Sequence, residues 1–158
     1  MPLAPLHSAE WVQFTATPAI LQSSHKWGSK LRASTASLTF TAAGQGTAKM
    51  LRLPAGKLRV LVDACRIVCP VAVALSDLHI GYAAHTDQAG VAVVADDNAF
   101  ADNLDVGGAA LDQTWPLPAG GYLDLDSRDG VDVEVMFDTA NSPAAGEMWL
   151  LVVFQQGN

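Results

Sequence analysis

Apolar and polar residues alternate most cleanly near the end of the chain. Leu123 and Leu125 alternate with Asp124 and Asp126, and Val131, Val133, Val135 and Phe137 with Asp132 and Glu134. A period of two marks strands with one face in a core, and Asp129-Gly130 between the runs is a hairpin-type turn, so they are expected to pair. Met148 to Phe154 is apolar throughout and reads as a buried last strand.

Earlier, Leu38 and Phe40 alternate with Thr39 and Thr41, Gly44-Gln45-Gly46 turns the chain, and Met50, Leu51 and Leu53 follow. Pro54-Ala55-Gly56 turns it again. Leu58 to Ala64 and Ile67 to Leu75 read as strands, the second buried on both faces, with Pro70 marking its start or an edge position. The stretch Asp77 to Asp105 begins as a strand (Leu78, Ile80, Tyr82), passes a polar loop to Gly90, returns as the apolar run Val91 to Ala95, and ends in an exposed acidic tip. That tip holds Asp96, Asp97, Asn98, Asp102 and Asn103, and the best helix candidate of the chain, Asp97 to Leu104, falls on it. After Gly107-Gly108 come Trp115 to Leu117 and Tyr122 to Asp126. Eight to ten strands with turn signals every ten residues or so are the pattern of an all-β antiparallel sandwich or barrel.

Residues 1–33 differ. Trp11, Val12 and Phe14 make a short apolar patch that Pro18 breaks, and a polar stretch surrounds Trp27. We read 1–33 as an N-terminal arm or peripheral strand and 34–158 as the sandwich domain. An arm with two tryptophans is expected to lie along its own domain or to clasp a neighbour.

The 158 residues, half of them apolar, suffice for one domain with a real core. The net charge of −7 conceals a division: residues 1–62 hold seven of the nine bases and one of the sixteen acids. If the halves separate in space, basic and acidic faces result; if the strands interleave, the charges mix. Sparse bases without interleaved aromatics exclude nucleic-acid binding. The start lacks a basic segment and an apolar core, and no apolar run approaches the roughly 20 residues of a spanning helix, so a soluble protein made in a cytoplasm is expected. Cys65 and Cys69, about 13 Å apart if on one strand, are too distant for a disulfide, which needs less than about 7 Å; two reduced, buried thiols are expected.

Candidate chemistry is thin. His79, His85 and Asp87 offer metal or acid–base groups without a third imidazole. Asp124 to Gly130 departs from a calcium loop by one position and lacks its closing Glu. Nucleophile elbows and phosphate loops are absent from the sequence, so no catalytic residue, cofactor or metal is assigned, and no enzymatic activity.

The order of these strands resembles the jellyroll head-decoration (cement) proteins of tailed bacteriophages. The likeness rests on Leu53-Pro54-Ala55-Gly56, two apolar strands, Leu78-His79-Ile80-Gly81-Tyr82 followed by His85-Thr86-Asp87, Gly90 and the acidic tip. The pair Gly130 to Phe137 and Pro143-Ala144-Ala145-Gly146 to Phe154 completes it, so that roughly residues 35–156 are covered. It implies a protein that staples subunits of the major capsid protein on the outside of a virion, as a homotrimer, without a membrane or nucleic-acid partner. In that role the arm residues Trp11, Phe14, Lys26, Trp27, Lys30 and Arg32 are the expected capsid or subunit contacts. A rival reading is a glycan- or receptor-binding sandwich with Tyr82, Trp115 and Tyr122 as stacking platforms. A second rival is a small cupin-type enzyme holding metal on His79 and His85.

Overall fold

The computed structural model describes residues 31–41, 46–72, 76–116, 121–138 and 142–156. Among them the strands are β1 (Leu31–Phe40), β2 (Thr47–Leu53), β3 (Gly56–Val60), β4 (Arg66–Cys69), β5 (Asp77–Tyr82) and β6 (His85–Thr86). β7 (Ala92–Val93), β8 (Asp96–Asp105), β9 (Leu111–Thr114), β10 (Leu123–Ser127), β11 (Val131–Phe137) and β12 (Gly146–Gln156) follow.

Two sheets carry the fold. In the first, β12 is central: β1 pairs along one edge, Leu31 opposite Gln155 through Phe40 opposite Gly146. β3 and β4 share the other edge end to end, with a 3-10 turn at Val62–Ala64 between them. β10 and β9 continue the layer in the same broken fashion, on β3 and β4 respectively. The second sheet has the order β2-β11-β5-β8. Counting each interrupted strand once, the layers are β1-β12-β3/β4-β10/β9 and β2-β11-β5-β8, all pairs antiparallel. This is the double-sheet jellyroll arrangement, and the expected all-β sandwich class stands.

Asp129-Gly130 does not close a hairpin. β10 belongs to the first sheet and β11 to the second, and the same is true of β3 and β2. Ser127 sits opposite Gly56, and Val131 opposite Leu53. One two-stranded ribbon therefore runs unbroken through both sheets and bends at 54–55 and 128–130. The bend needs Gly130: φ is +100°, its N–H donates to Ser127 Oγ at 2.7 Å, and a Cβ there would lie 2.6 Å from the Leu53 carbonyl oxygen.

Inward residues of both layers form one core, including Phe40, Leu53, Ile67, Ile80, Phe100, Trp115, Val133, Val135, Leu150 and Val152. Phe40 meets Phe137 edge to face across it at 5.7 Å. β11 and β12 alternate as their side-chain period requires.

Several expectations are corrected. The acidic tip is neither loop nor helix but the edge strand β8, whose Phe100, Ala101 and Leu104 are buried. Its register against β5 shifts twice, from Leu78–Leu104 to Ile80–Ala101 to Tyr82–Asp96. Bulges absorb the extra residues and put Asn103 at φ 53°, a conformation Asn tolerates. β4 stops before Pro70 rather than starting there, and alternates exposed and buried instead of being covered on both faces. The strand begun at Leu58 ends at Val60. Trp115 lies outside the strands yet is only 1% exposed. The apolar run Val91 to Ala95 is mostly surface: Val94 is 83% exposed.

Candidate functional site

The two histidines weighed as candidate ligands have different partners. His79 points outward from β5 beneath the β8 bulge, which leaves it 8% exposed. Its Nδ1 is 2.7 Å from Asp102 Oδ1 and its Nε2 3.0 Å from Asp138 Oδ1. Carboxylates only accept, so both contacts are hydrogen bonds together only when the ring carries two protons. His85 Nδ1 lies 3.1 Å from the Ala83 carbonyl oxygen, which fixes that nitrogen as the donor, and the ring meets Tyr82 edge on. Asp87 is a turn former: its Oδ1 accepts from Val91 N–H at 2.7 Å, tying the β6–β7 hairpin. No metal-holding group of three such side chains exists among the described residues.

A polar cleft of about 170 Å³ lies beside the ribbon corner, lined by Arg52, Ala84, His85, Thr86, Asp129, Gly130 and Asp132. Its charges are engaged with one another: Arg52 donates to Asp132 Oδ1 at 2.9 Å and to the Asp129 carbonyl at 3.0 Å. Hydrogen bonding from Lys49, with the charges of Arg52 and Lys49, holds the Asp132 carboxyl below its usual range despite partial burial. Asp124 is lowered likewise, chiefly by its hydrogen bond from Arg59. The bases of the first part thus meet the acids of the second across β2–β11 and β3–β10, and Arg66 pairs with Asp112 within the second part. The halves interleave, and the sequence division makes no separate basic and acidic faces among these strands.

Of the stacking platforms, Trp115 is core, with its ring 5.4 Å from Phe100, and cannot face a sugar. Tyr122 is half exposed but covered on one side by the Arg59 guanidinium, 4.0 Å from the ring centroid. Tyr82 lies against His85 and Phe100. Cys65 and Cys69 are free and buried, and burial pushes both thiols up to about 12.

Trp11, Phe14, Lys26, Trp27 and Lys30 lie outside the described residues; Arg32 lies in β1, opposite Phe154. Asp97, Asn98, Asp102 and Asn103 are exposed along β8 and Asp96 is partly so.

The sequence reading missed the outer face of the first sheet. Met148 to Phe154 is not buried throughout: Met148, Leu150, Val152 and Phe154 point inward, and Trp149, Leu151 and Val153 point out. The strand period alone signals this, since every second residue of an apolar strand leaves the core side. The register sets Ser37, Trp149, Val68 and Asp112 in one row of that face and Thr35, Leu151, Arg66 and Thr114 in the next. No residue of 33–39 or 149–153 is charged. The same face carries Arg66 and Asp112 in these rows and Glu147 opposite Thr39, and the second sheet presents Lys49, Arg52, Asp132 and Glu134.

No helix among the described residues is long and apolar enough to cross a membrane. No protein-family model matches the chain, and no curated protein sequence does. Among solved structures, a chain of the cyanophage Pam1 capsid asymmetric unit is similar at 17% identity and a TM-score of 0.52, over 99% of this chain and 100% of that one. A chain of the acidic stable capsid of Helicobacter pylori bacteriophage KHP30 is similar at 16% identity and a TM-score of 0.44, over 82% of this chain and 90% of that one. A structure of infectious bursal disease virus, Gt strain, is similar at 13% identity and a TM-score of 0.41, over 80% of this chain and 33% of that one.

Proposed function

We propose that this chain is a virion structural protein that binds the outside of a phage capsid and stabilises it by non-covalent contacts, as a homotrimer on the major capsid protein. The observation that carries the reading is the end-to-end likeness, at a TM-score of 0.52, to a chain of a cyanophage capsid asymmetric unit. Both chains are covered almost completely, so the likeness is to a whole small subunit and not to a part of a larger one.

The site agrees in kind. The described residues hold ion pairs, a buried core and two broad strand faces, and the imidazole that touches two carboxylates, His79, is shut under a bulge. Such a molecule acts by shape, without a catalysed reaction, cofactor or resident metal. Its synthesis belongs in the host cytoplasm and its place on the virion exterior. The arm supplies further contacts through Trp11, Phe14, Trp27, Lys26 and Lys30, since tryptophans and cations are typical anchors of protein interfaces.

The test is co-sedimentation of purified protein with shells assembled without it. Wild type pellets with the shells, while Trp11→Ala and Trp27→Ala pellet at least tenfold less with melting temperatures within about 3 °C of wild type. Variants that bind shells normally but unfold early would place the arm in the core and overturn its role; wild type that ignores shells would overturn the function.

A further inference from the structure

We infer that His79 is a proton-operated latch on the edge strand β8: carrying two ring protons it ties the β8 bulge to the end of β11, and on losing one it lets the bulge go. The latch belongs to the domain itself and stands whether or not the chain docks on a shell.

The bulge creates the site. Between the pairs Leu78–Leu104 and Ile80–Ala101, β5 has the single residue His79 and β8 the two residues Asp102 and Asn103. On its other flank His79 stands opposite Met136 of β11, and Asp138 follows two residues along on the same side of the sheet. The ring spans the two strands, with Nδ1 2.7 Å from Asp102 Oδ1 and Nε2 3.0 Å from Asp138 Oδ1. Its side chain is 10% exposed, whereas the two carboxylates reach solvent at 50% and 46%.

The proton count decides which contacts hold. A carboxylate only accepts, so the ring bonds both acids when each nitrogen carries a proton. A third neighbour shows which proton matters: the Asn103 backbone N–H lies 3.5 Å from Nδ1. That donor can serve Nδ1 only when the nitrogen is bare, and a bare Nδ1 repels the Asp102 oxygen that faces it. The neutral ring therefore keeps its Nε2–H on Asp138, takes the Asn103 amide, and releases Asp102 to water. Imidazole changes charge between about pH 5 and 8. The tie to β8 is thus complete on the acidic side of that window and is lost as pH rises through it.

The charges around the ring are mostly acids. Asp77 shares its strand and stands opposite Asp105 of β8, Asp97 lies further along β8, and Glu134 on β11 is opposite Gly81. The cations of this sheet among the described residues, Lys49 and Arg52, are on β2 beyond β11 and are engaged with Asp132 and Glu134. Like charges on neighbouring strands repel. The charged ring is the counter-charge that lets Asp102 lie against an already acidic face.

The experiment follows amide hydrogen exchange of the full-length protein by mass spectrometry at about pH 5.5 and about pH 8.5, either side of the imidazole window, as protection factors corrected for the intrinsic effect of pH. Wild type, Asp102→Asn and Asp97→Asn are compared, and nitrogen-15 shifts of the His79 ring are read on wild type alone. A hydrogen bond to a charged group, discounted for the half-exposed Asp102, changes local opening about tenfold. In wild type, protection over residues 101–105 accordingly falls about tenfold at the higher pH while that of β12 holds. Asp102→Asn falls less than about twofold, because an amide can donate to a bare Nδ1 as well as accept from a protonated one. Asp97→Asn, which removes an acid that does not touch the ring, keeps the wild-type fall. The ring shifts show two protonated nitrogens at the lower pH and a bare Nδ1 at the higher. Flat wild-type protection, a full fall in Asp102→Asn, loss of the fall in Asp97→Asn, or a ring that keeps one proton count throughout overturns the latch.

Discussion

Gly81 is the point where β8 presses hardest on the rest of the domain. It lies in β5 opposite Glu134, on the outer side of the second sheet, where the first β8 bulge crosses it. A Cβ added there would overlap the Asp96 carbonyl oxygen and the Asp97 carbonyl carbon, and would come within 2.6 Å of Asp97 Cα. Ordinary contact begins about 1 Å further out, and every obstacle is backbone, so β8 must move bodily and not merely rotate a side chain. Overpacking of this kind costs about 1–3 kcal/mol where side chains can yield; with backbone on the far side we expect about 3 kcal/mol, a factor of roughly 150 in the folding equilibrium. Urea denaturation of Gly81→Ala followed by tryptophan fluorescence measures it. Gly90→Ala separates sterics from strain: its φ is +86° with open space around it, so it costs only about 1 kcal/mol. Gly81→Ala within about 0.5 kcal/mol of wild type would refute the crossing of β8 over β5.

Other perturbations test other parts of the fold. Phe100→Ala empties a fully buried ring site beside Trp115 and Tyr82 and is expected to cost about 3–5 kcal/mol in the same assay, whereas a residue in an exposed loop would cost almost nothing. With thiols pushed up to about 12, Cys65 and Cys69 carry roughly one thiolate in ten thousand at pH 8, so a thiol reagent labels neither until the chain is unfolded; rapid labelling of native protein would contradict their burial. The Asp132 carboxyl titrates lower in the folded than in the unfolded chain. Its contribution is therefore complete above about pH 4 and fades as pH falls below that, and Asp132→Asn should flatten the acid limb of the stability curve by under about 1 kcal/mol.

What the sequence made legible is the set of strands whose two faces differ. β11 declares itself because Val131, Val133, Val135 and Phe137 meet the core while Asp132 and Glu134 meet Lys49 and Arg52. β8 stayed hidden for the opposite reason: as an edge strand with two bulges it needs only Phe100, Ala101 and Leu104 inside, and its Asp and Asn residues mimic a turn. The Asp129-Gly130 signal specified a backbone reversal, and Gly130 does have positive φ, but nothing local says whether the strands it joins pair with each other or pass to different sheets. That choice is made by Leu53 and Gly56, more than seventy residues earlier in the chain. The site was less legible than the fold. His79 reads as a lone imidazole because Asp102 and Asp138, its partners, are distant in sequence, and Trp149, Leu151 and Val153 look like core until the pleat assigns them outward.

The central position of β12 governs the order of events at the ribosome. The first sheet has β1 on one flank of β12 and β3 with β4 on the other, so a nascent chain that ends short of Gly146 has nothing to join these halves. Until Gln156 has been made and has cleared the exit tunnel, ten residues of β1 wait with an open edge for partners more than a hundred positions away. Such long-range closure makes for slow, all-at-once acquisition of structure after synthesis, with a dependence on chaperone shelter in the interval.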